Sequence, residues 1–193
     1  PTNPMNYYGF TKLCIEQNLQ WHSDLHGIHY ASLRYFNAAG YDIKKRVRGL
    51  ETNPQNLLPI VMEVASGKRS SMQIYGNDYP TRDGSCIRDY IHVSDLAKAH
   101  ILSMQFISSE RKSVTLNLGS QNGISVFEMI QEARKITGKE IKAEVTSRRP
   151  GDPPELIASS ALAKELLNWK AEYSDASSLI ASTWDIYKDI KWA

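Results

Sequence analysis

The stretch that most restricts the fold lies near the start of the chain. Leu13, Ile15 and Leu19 recur at helical spacing over about Tyr7–Ser23, with Trp21 near the end and Gly27 as a stop. Directly behind that glycine, Ile28–Phe36 (Ile-His-Tyr-Ala-Ser-Leu-Arg-Tyr-Phe) reads as a buried strand. A long amphipathic helix leading straight into an apolar strand is half of an α/β repeat. The alternation continues. Asn56 opens a helix over Leu57–Ser66 that Gly67 closes, and Met72–Tyr75 and Asp89–Val93 read as strands. Ser94 is a good N-cap for a helix over about Asp95–Ile107. Val114–Leu118 is a strand ended by Gly119. Ser125 and Glu128 form a capping box for a helix that Gly138 closes. Ile141–Val145 is a further strand, and short helices follow over Ala161–Leu167 and Ala176–Lys188. No internal repeat, low-complexity tract or linker interrupts this mixed α/β pattern.

Composition narrows the class. The 193 residues, 41% of them hydrophobic, are enough to bury a core. A net charge of +2 from 23 basic and 21 acidic residues argues against a nucleic-acid or membrane partner. Cys14 and Cys86 lie in unrelated contexts, which suits a reducing, cytoplasmic setting. No apolar run reaches the roughly 18 residues of a spanning helix. The Pro1-Thr2-Asn3-Pro4 start lacks an initiator Met, so the expectation is a piece of a longer protein.

Most polar chemistry collects in three loops, at about 37–54, 76–88 and 147–154. Together with the helix start at Asn56 they supply Asn37, Asn56, Arg88, Arg149 and Asp152. Guanidinium forks suit a diphosphate, amides add neutral donors, and a carboxylate can accept from ribose hydroxyls. Each residue also has a plain structural reading. Arg88 can pair with Asp89, Arg148-Arg149 can be a solvated turn, and Asn37 and Asn56 can be turn or cap residues. Tyr8 and Lys12 stand one turn apart on the first helix, where an ammonium favours the phenolate of a neighbouring phenol. A phenolate is a base for a sugar hydroxyl; an exposed neighbour pair is the alternative. His92, between Ile91 and Val93, reads as a core histidine, and Trp169, Trp184 and Trp192 as core or rim packing. Gly119 and Gly123 do not spell a dinucleotide-binding G-x-G-x-x-G and read as a turn. No metal-ligand spacing occurs among the histidines and cysteines.

The motifs resemble a known family. Tyr8-Gly-Phe-Thr-Lys12, Leu33-Arg-Tyr-Phe-Asn37, Asn56-Leu-Leu-Pro59, Ile74-Tyr-Gly-Asn-Asp-Tyr-Pro-Thr81, Asp83-Gly84, Arg88-Asp-Tyr-Ile-His-Val93, Asp95-Leu96, Asn117-Leu-Gly119 and Arg148-Arg-Pro-Gly-Asp152 stand in the order of the C-terminal part of the UDP-glucose 4-epimerases. These belong to the extended short-chain dehydrogenase/reductase superfamily. The resemblance implies a Rossmann-like doubly wound parallel sheet plus a smaller mixed α/β substrate-binding domain. It implies that residues 1–40 end the NAD-binding domain and that 41–193 are mainly the sugar-nucleotide domain, with about 89–107 returning to the Rossmann-like sheet. It implies NAD as cofactor, a UDP-sugar as substrate and a homodimer in the parent. The family's glycine-rich turn and catalytic Ser/Thr are expected before Pro1, and the isolated piece is expected to be inactive.

Position by position, Tyr8 matches the catalytic base. Lys12 matches the lysine that assists it and holds the nicotinamide ribose, and Phe36 a residue beside the cofactor. Asn37 matches a diphosphate ligand, and Asn56 and Leu57 a pair contacting UDP. Gln73, Ile74 and Tyr75 match the strand at the uridine. Arg88 and Arg149 match arginines on the diphosphate, and Asp152 the acid at the ribose. Leu156 stands where relatives often carry Tyr or Cys, a position whose size helps decide whether N-acetylated sugars fit. The implied reaction interconverts UDP-glucose and UDP-galactose by C4 oxidation, rotation of the 4-keto sugar and re-reduction. Alternatives on the same scaffold are a 4-epimerase of UDP-N-acetylhexosamines or uronates and a 4,6-dehydratase. A non-catalytic sugar-nucleotide-binding or dimerisation module is a third reading.

Overall fold

A computed structural model describes residues 2–4 and 6–192. Its elements run α1 (Tyr7–His26), β1 (Ala31–Arg34), β2 (Asn37–Ala39), α2 (Leu57–Ala65), β3 (Met72–Tyr75), β4 (Ile87–Arg88), β5 (Tyr90–His92) and α3 (Val93–Glu110). They continue with β6 (Val114–Asn117), β7 (Ile124–Ser125), α4 (Val126–Thr137), β8 (Ala143–Thr146), β9 (Glu155–Leu156), α5 (Ala161–Leu167) and α6 (Ala176–Tyr187). The α/β expectation holds. Three parallel ladders join β1 to β6, β2 to β5 and β3 to β8, while β4 lies between antiparallel β7 and parallel β9. Parallel pairs need crossovers, and helices supply them.

Two apolar clusters hold these layers. One gathers Leu58, Val61 and Met62 of α2, Ile74 of β3, Met129, Ile130 and Ala133 of α4, and Leu179, Ile180 and Tyr187 of α6. The other gathers Ile91, Leu96, Ala99, Leu116, Leu118, Ala163, Leu167 and Trp169, with Leu33 of β1 against it. Helix α1 has no buried residue. It is tied to β1 by Glu16, which accepts from Ser32 Oγ (2.9 Å) and Arg34 Nε (2.6 Å). The Arg34 hydrogen bond outweighs partial burial and holds the Glu16 carboxyl below its ordinary range.

Several expectations shift. Ile28–Phe36 is not one strand: β1 covers only its middle, and β2 begins at Asn37 to pair with β5 instead of β6. Asp89–Val93 also breaks, because Asp89 turns its carboxylate inward. That side chain accepts from Ser120 N–H (2.8 Å), Ser120 Oγ (2.6 Å) and Ala158 N–H (3.1 Å). Arg88 points elsewhere, so the adjacent ion pair does not form. The cap of α3 is His92, not Ser94. Helix α3 starts two residues earlier than expected because the His92 Nδ1 accepts the Ser94 N–H at 3.0 Å. That bond fixes the tautomer, since an amide N–H only donates. The ring proton sits on Nε2, 3.0 Å from Ser182 Oγ. His92 is thus buried and satisfied, but it ends a strand and does not sit in its middle. The capping box at Ser125 and Glu128 forms as expected. Strands β7 and β9, two residues each, fall below what a pattern of alternating residues can register.

Candidate functional site

A cavity of about 530 Å³ opens between β2, the start of α2, β3 and the β4–β5 segment. Nine of the thirteen residues singled out for catalysis or ligand contact line it: Asn37, Asn56, Leu57, Gln73, Ile74, Tyr75, Arg88, Arg149 and Asp152. Segments far apart in sequence bring them together because β2 and β3 line the opening along their whole length and Arg88 of β4 reaches it.

The helix start is available to an anion. Asn56 occupies the N-cap with extended backbone (ψ 149°), yet its side chain makes no capping bond. The first-turn amides of a helix have no partner within it, and Pro59 removes one of them. The open end therefore presents donors and the positive end of a helix dipole to the cavity. Opposite, the Arg149 guanidinium stacks 3.7 Å from the centre of the Tyr75 ring. Arg88, mostly buried, donates to Ile87 O at 2.9 Å and stands 3.4 Å from an Asp152 carboxylate oxygen. The Asn37 amide donates to Asp89 O at 3.0 Å, which orients it toward the same space. Burial pushes the phenol of Tyr90, another lining residue, well above its ordinary value.

Four further charged or polar lining residues escaped the sequence reading. Arg69 lines the cavity but is committed to Glu63, a buried carboxylate that Lys68 also holds. Burial works to raise Glu63, and the hydrogen bonds from Lys68 and Arg69 outweigh it. Cys86 and Tyr90 stand two residues before and after Arg88 and line the cavity with it. That period of two was the signal that could have found them. Gln55 lines the cavity as the neighbour of Asn56.

Tyr8, Lys12, Phe36 and Leu156 do not line the cavity. Tyr8 and Lys12 stand on α1, with the ammonium 5.1 Å from the phenol ring centre. Tyr8 is 70% and Phe36 50% exposed. Leu156 lies on β9 directly opposite Arg88, at the edge of the site.

Fold and cavity together define a class: an α/β protein of parallel ladders with a guanidinium-lined, anion-ready crevice. Comparison with known proteins then specifies the family. The sequence model of the NAD dependent epimerase/dehydratase family matches residues 1–119, and the chain belongs to that family. It is 45% identical over 189 residues to a UDP-glucose 4-epimerase of Halalkalibacterium halodurans and 43% identical over 190 residues to one of Lacticaseibacillus casei. Each match covers 98% of this chain and 57% of the relative, so the chain spans little more than half of their length. Among solved structures, UDP-glucose 4-epimerase of Brucella ovis in complex with NAD superimposes with a TM-score of 0.92 at 39% identity. That superposition covers 96% of this chain and 57% of the other. The enzyme of Bifidobacterium longum, in complex with NAD+ and UDP, gives 0.87 at 37% identity over 96% of this chain and 56% of its own.

Proposed function

We propose that this chain carries the UDP-sugar-binding and proton-transfer part of an NAD-dependent UDP-glucose 4-epimerase. The observation that carries the reading is the convergence of Arg88, Arg149, Asn37 and the open start of α2 on one cavity. Two guanidinium forks, an amide and a helix N-terminus are a donor set for a diphosphate. The uridine lies along Gln73, Ile74 and Tyr75, with Asn56 and Leu57 at its phosphate end, and Asp152 accepts from ribose hydroxyls. A diphosphate competes with Asp152 for Arg88 and frees that carboxylate for the ribose. UDP is a constant handle, so the hexose beyond it can turn.

The Tyr8 hydroxyl, as phenolate, takes the proton from the sugar 4-hydroxyl, and the Lys12 ammonium stabilises the phenolate. Both groups stand exposed one turn apart, with Phe36 exposed as well. Such a hydroxyl–ammonium pair with an apolar ring fits the nicotinamide ribose, which Tyr8, Lys12 and Phe36 would hold. NAD, when bound, supplies the hydride acceptor and donor. Leu156, at the edge of the site, sets the room for a 2-substituent on the sugar. An α1 with no buried residue and with Tyr7, Phe10 and Trp21 exposed supports a homodimer or interdomain contact in the parent.

The isolated 193 residues bind UDP without interconverting sugars, because they span little more than half of the relatives they match. Calorimetry tests this directly. UDP binds the wild-type chain, and Arg149→Met weakens it by tenfold or more, the size of about 1.5 kcal/mol for a lost charged hydrogen bond. Equal UDP affinities of wild type and variant would refute the assignment. In the parent, wild-type turnover by Tyr8→Phe would refute the base.

A further inference from the structure

Arg148, the neighbour of the cavity arginine, faces the other way and makes its own set of contacts. Its Nε donates to Asp78 Oδ1 at 2.7 Å, and a terminal nitrogen donates to the Asp78 carbonyl. The guanidinium also lies 4.2 Å from the centre of the Tyr79 ring. Tyr79 itself is buried, and burial pushes its phenol up to about 12. Gly76 makes the approach possible: a Cβ there would fall 2.7 Å from both Arg148 Cγ and Tyr79 Cε2, and its φ of +88° belongs to glycine. The Gly76 N–H also donates to Thr146 O at 2.8 Å, extending the β3–β8 ladder by one bond.

These contacts sit where the two parallel strands end. The loop after β3 and the loop after β8 are therefore pinned to each other one residue before Arg149. From that pinned point Arg149 reaches back over Tyr75, and its carbonyl accepts the Asp152 N–H at 3.2 Å. Thus the two ligand-facing residues of the 147–154 loop hang from the Arg148 clamp.

We infer that Arg148 is a positioning residue: by gripping Asp78 and Tyr79 it holds Arg149 over Tyr75 in the geometry that meets the diphosphate. The inference rests on the UDP-site reading given above. A planar guanidinium is required, because it must fork to two oxygens of Asp78 and stack on a ring at once. A lysine keeps the charge but lacks the flat fork that does both at once.

The experiment has one arm without nucleotide and one with it. In the first, arginine-labelled wild-type chain and Arg148→Met are compared by NMR. Wild type shows Arg149 side-chain resonances shifted by the Tyr75 ring, assigned through Arg149→Met. In Arg148→Met and in Asp78→Ala, which opens the clamp from its exposed end, that shift is expected to collapse. An unchanged shift in both overturns the positioning role. In the second arm, UDP and uridine are titrated by calorimetry. Arg148→Met and Arg148→Lys are each expected to weaken UDP by about tenfold and to leave uridine unchanged. In the Arg149→Met background, adding Arg148→Met is expected to cost nothing further. Full recovery by lysine, equal loss for uridine, or an additive double variant each overturns the inference. If wild type binds no UDP while the ring shift still collapses, the nucleotide-site reading fails and with it the diphosphate role, but the clamp stands.

Discussion

Asp89→Ala should be the most damaging single polar substitution in the region around the cavity. The side chain is buried and makes no ion pair among the described residues. It accepts three hydrogen bonds, two from Ser120 and one from Ala158 N–H. Alanine leaves the buried Ala158 amide unpaired at about 1–3 kcal/mol, and it removes two bonds to Ser120 whose charge-assisted worth is about 1.5–3 kcal/mol each. Ser120 is half-buried, so water recovers part of that loss. A net cost of about 4 kcal/mol follows, a large share of the roughly 5–15 kcal/mol that holds a domain. With a urea m-value of about 2 kcal/mol/M, the unfolding midpoint drops by about 2 M. Asp89→Asn keeps one acceptor oxygen and should lose about half as much. Urea unfolding followed by far-UV circular dichroism measures both. The alternative, in which Asp89 chiefly neutralises Arg88, makes an opposite forecast. Arg88→Met would then largely remove the cost of Asp89→Ala in a double variant. Strong non-additivity of that kind, or a cost of Asp89→Ala below about 1 kcal/mol, refutes the account of a carboxylate bonded to backbone and serine.

Three other outcomes follow from the geometry. Burial holds the His92 pKa below its ordinary 6.5 against the opposing pull of Asp95, Asp175 and Asp42. The unfolded chain therefore takes up the proton first. The stability from neutral His92 is complete above about pH 6.5 and is lost as pH falls toward the folded pKa, by at most about 1.4 kcal/mol per pH unit. His92→Asn, which can still cap α3, should flatten that slope in urea melts at pH 5 to 7. Gly84→Ala should cost about 3 kcal/mol, because φ is +83° and a Cβ would fall 2.1 Å from Asn77 O. Gly27→Ala, with φ +65° and open space around it, should cost only about 1 kcal/mol, and paired thermal melts compare the two. Trp169→Ala empties a fully buried site and breaks the indole bond to Asp95 O (3.0 Å), for about 3–5 kcal/mol by chemical denaturation.

Regular elements were legible in the sequence wherever one local rule decided them. The capping box at Ser125 and Glu128 is a contact between residues three apart, so it could be read without the fold. The same holds for α1, stopped by a left-handed Gly27, and for α5, whose bounds match the expected Ala161–Leu167. Elements decided by distant partners were not legible. Asp89 breaks its strand to reach Ser120 and Ala158, 31 and 69 residues away. Histidine ranks low as a helix cap, and His92 caps α3 because Ser182 on α6 pins its other nitrogen. In the site, the residue types that suit a diphosphate were visible as types. Their gathering on one cavity was not, because it depends on how β2, β3 and β4 pack.

A polar, glycine-rich loop reads from sequence as a ligand loop, but much of 74–85 faces the protein itself. Only Ile74 and Tyr75 of that stretch line the cavity. Beyond them Tyr79 N–H donates to Gly84 O (2.9 Å) and Thr81 Oγ to Ser85 O (2.7 Å), closing the turn on itself. Asp83 accepts from Ser85 N–H (2.9 Å) and from the Ser125 hydroxyl that caps α4. Arg82 pairs with Glu128, the other half of that capping box. The stretch is thus anchored at α4 on one side and at Arg148 on the other, with β3 between them. In the reaction proposed above the nucleotide stays fixed while its sugar turns, which calls for a wall that seldom opens locally, and added contacts at the end of β3 make such opening rarer. The residues that read most like a binding loop brace the strand proposed above to flank the uridine, and their substitution should loosen Tyr75 and Arg149 before it removes any lining residue of the cavity.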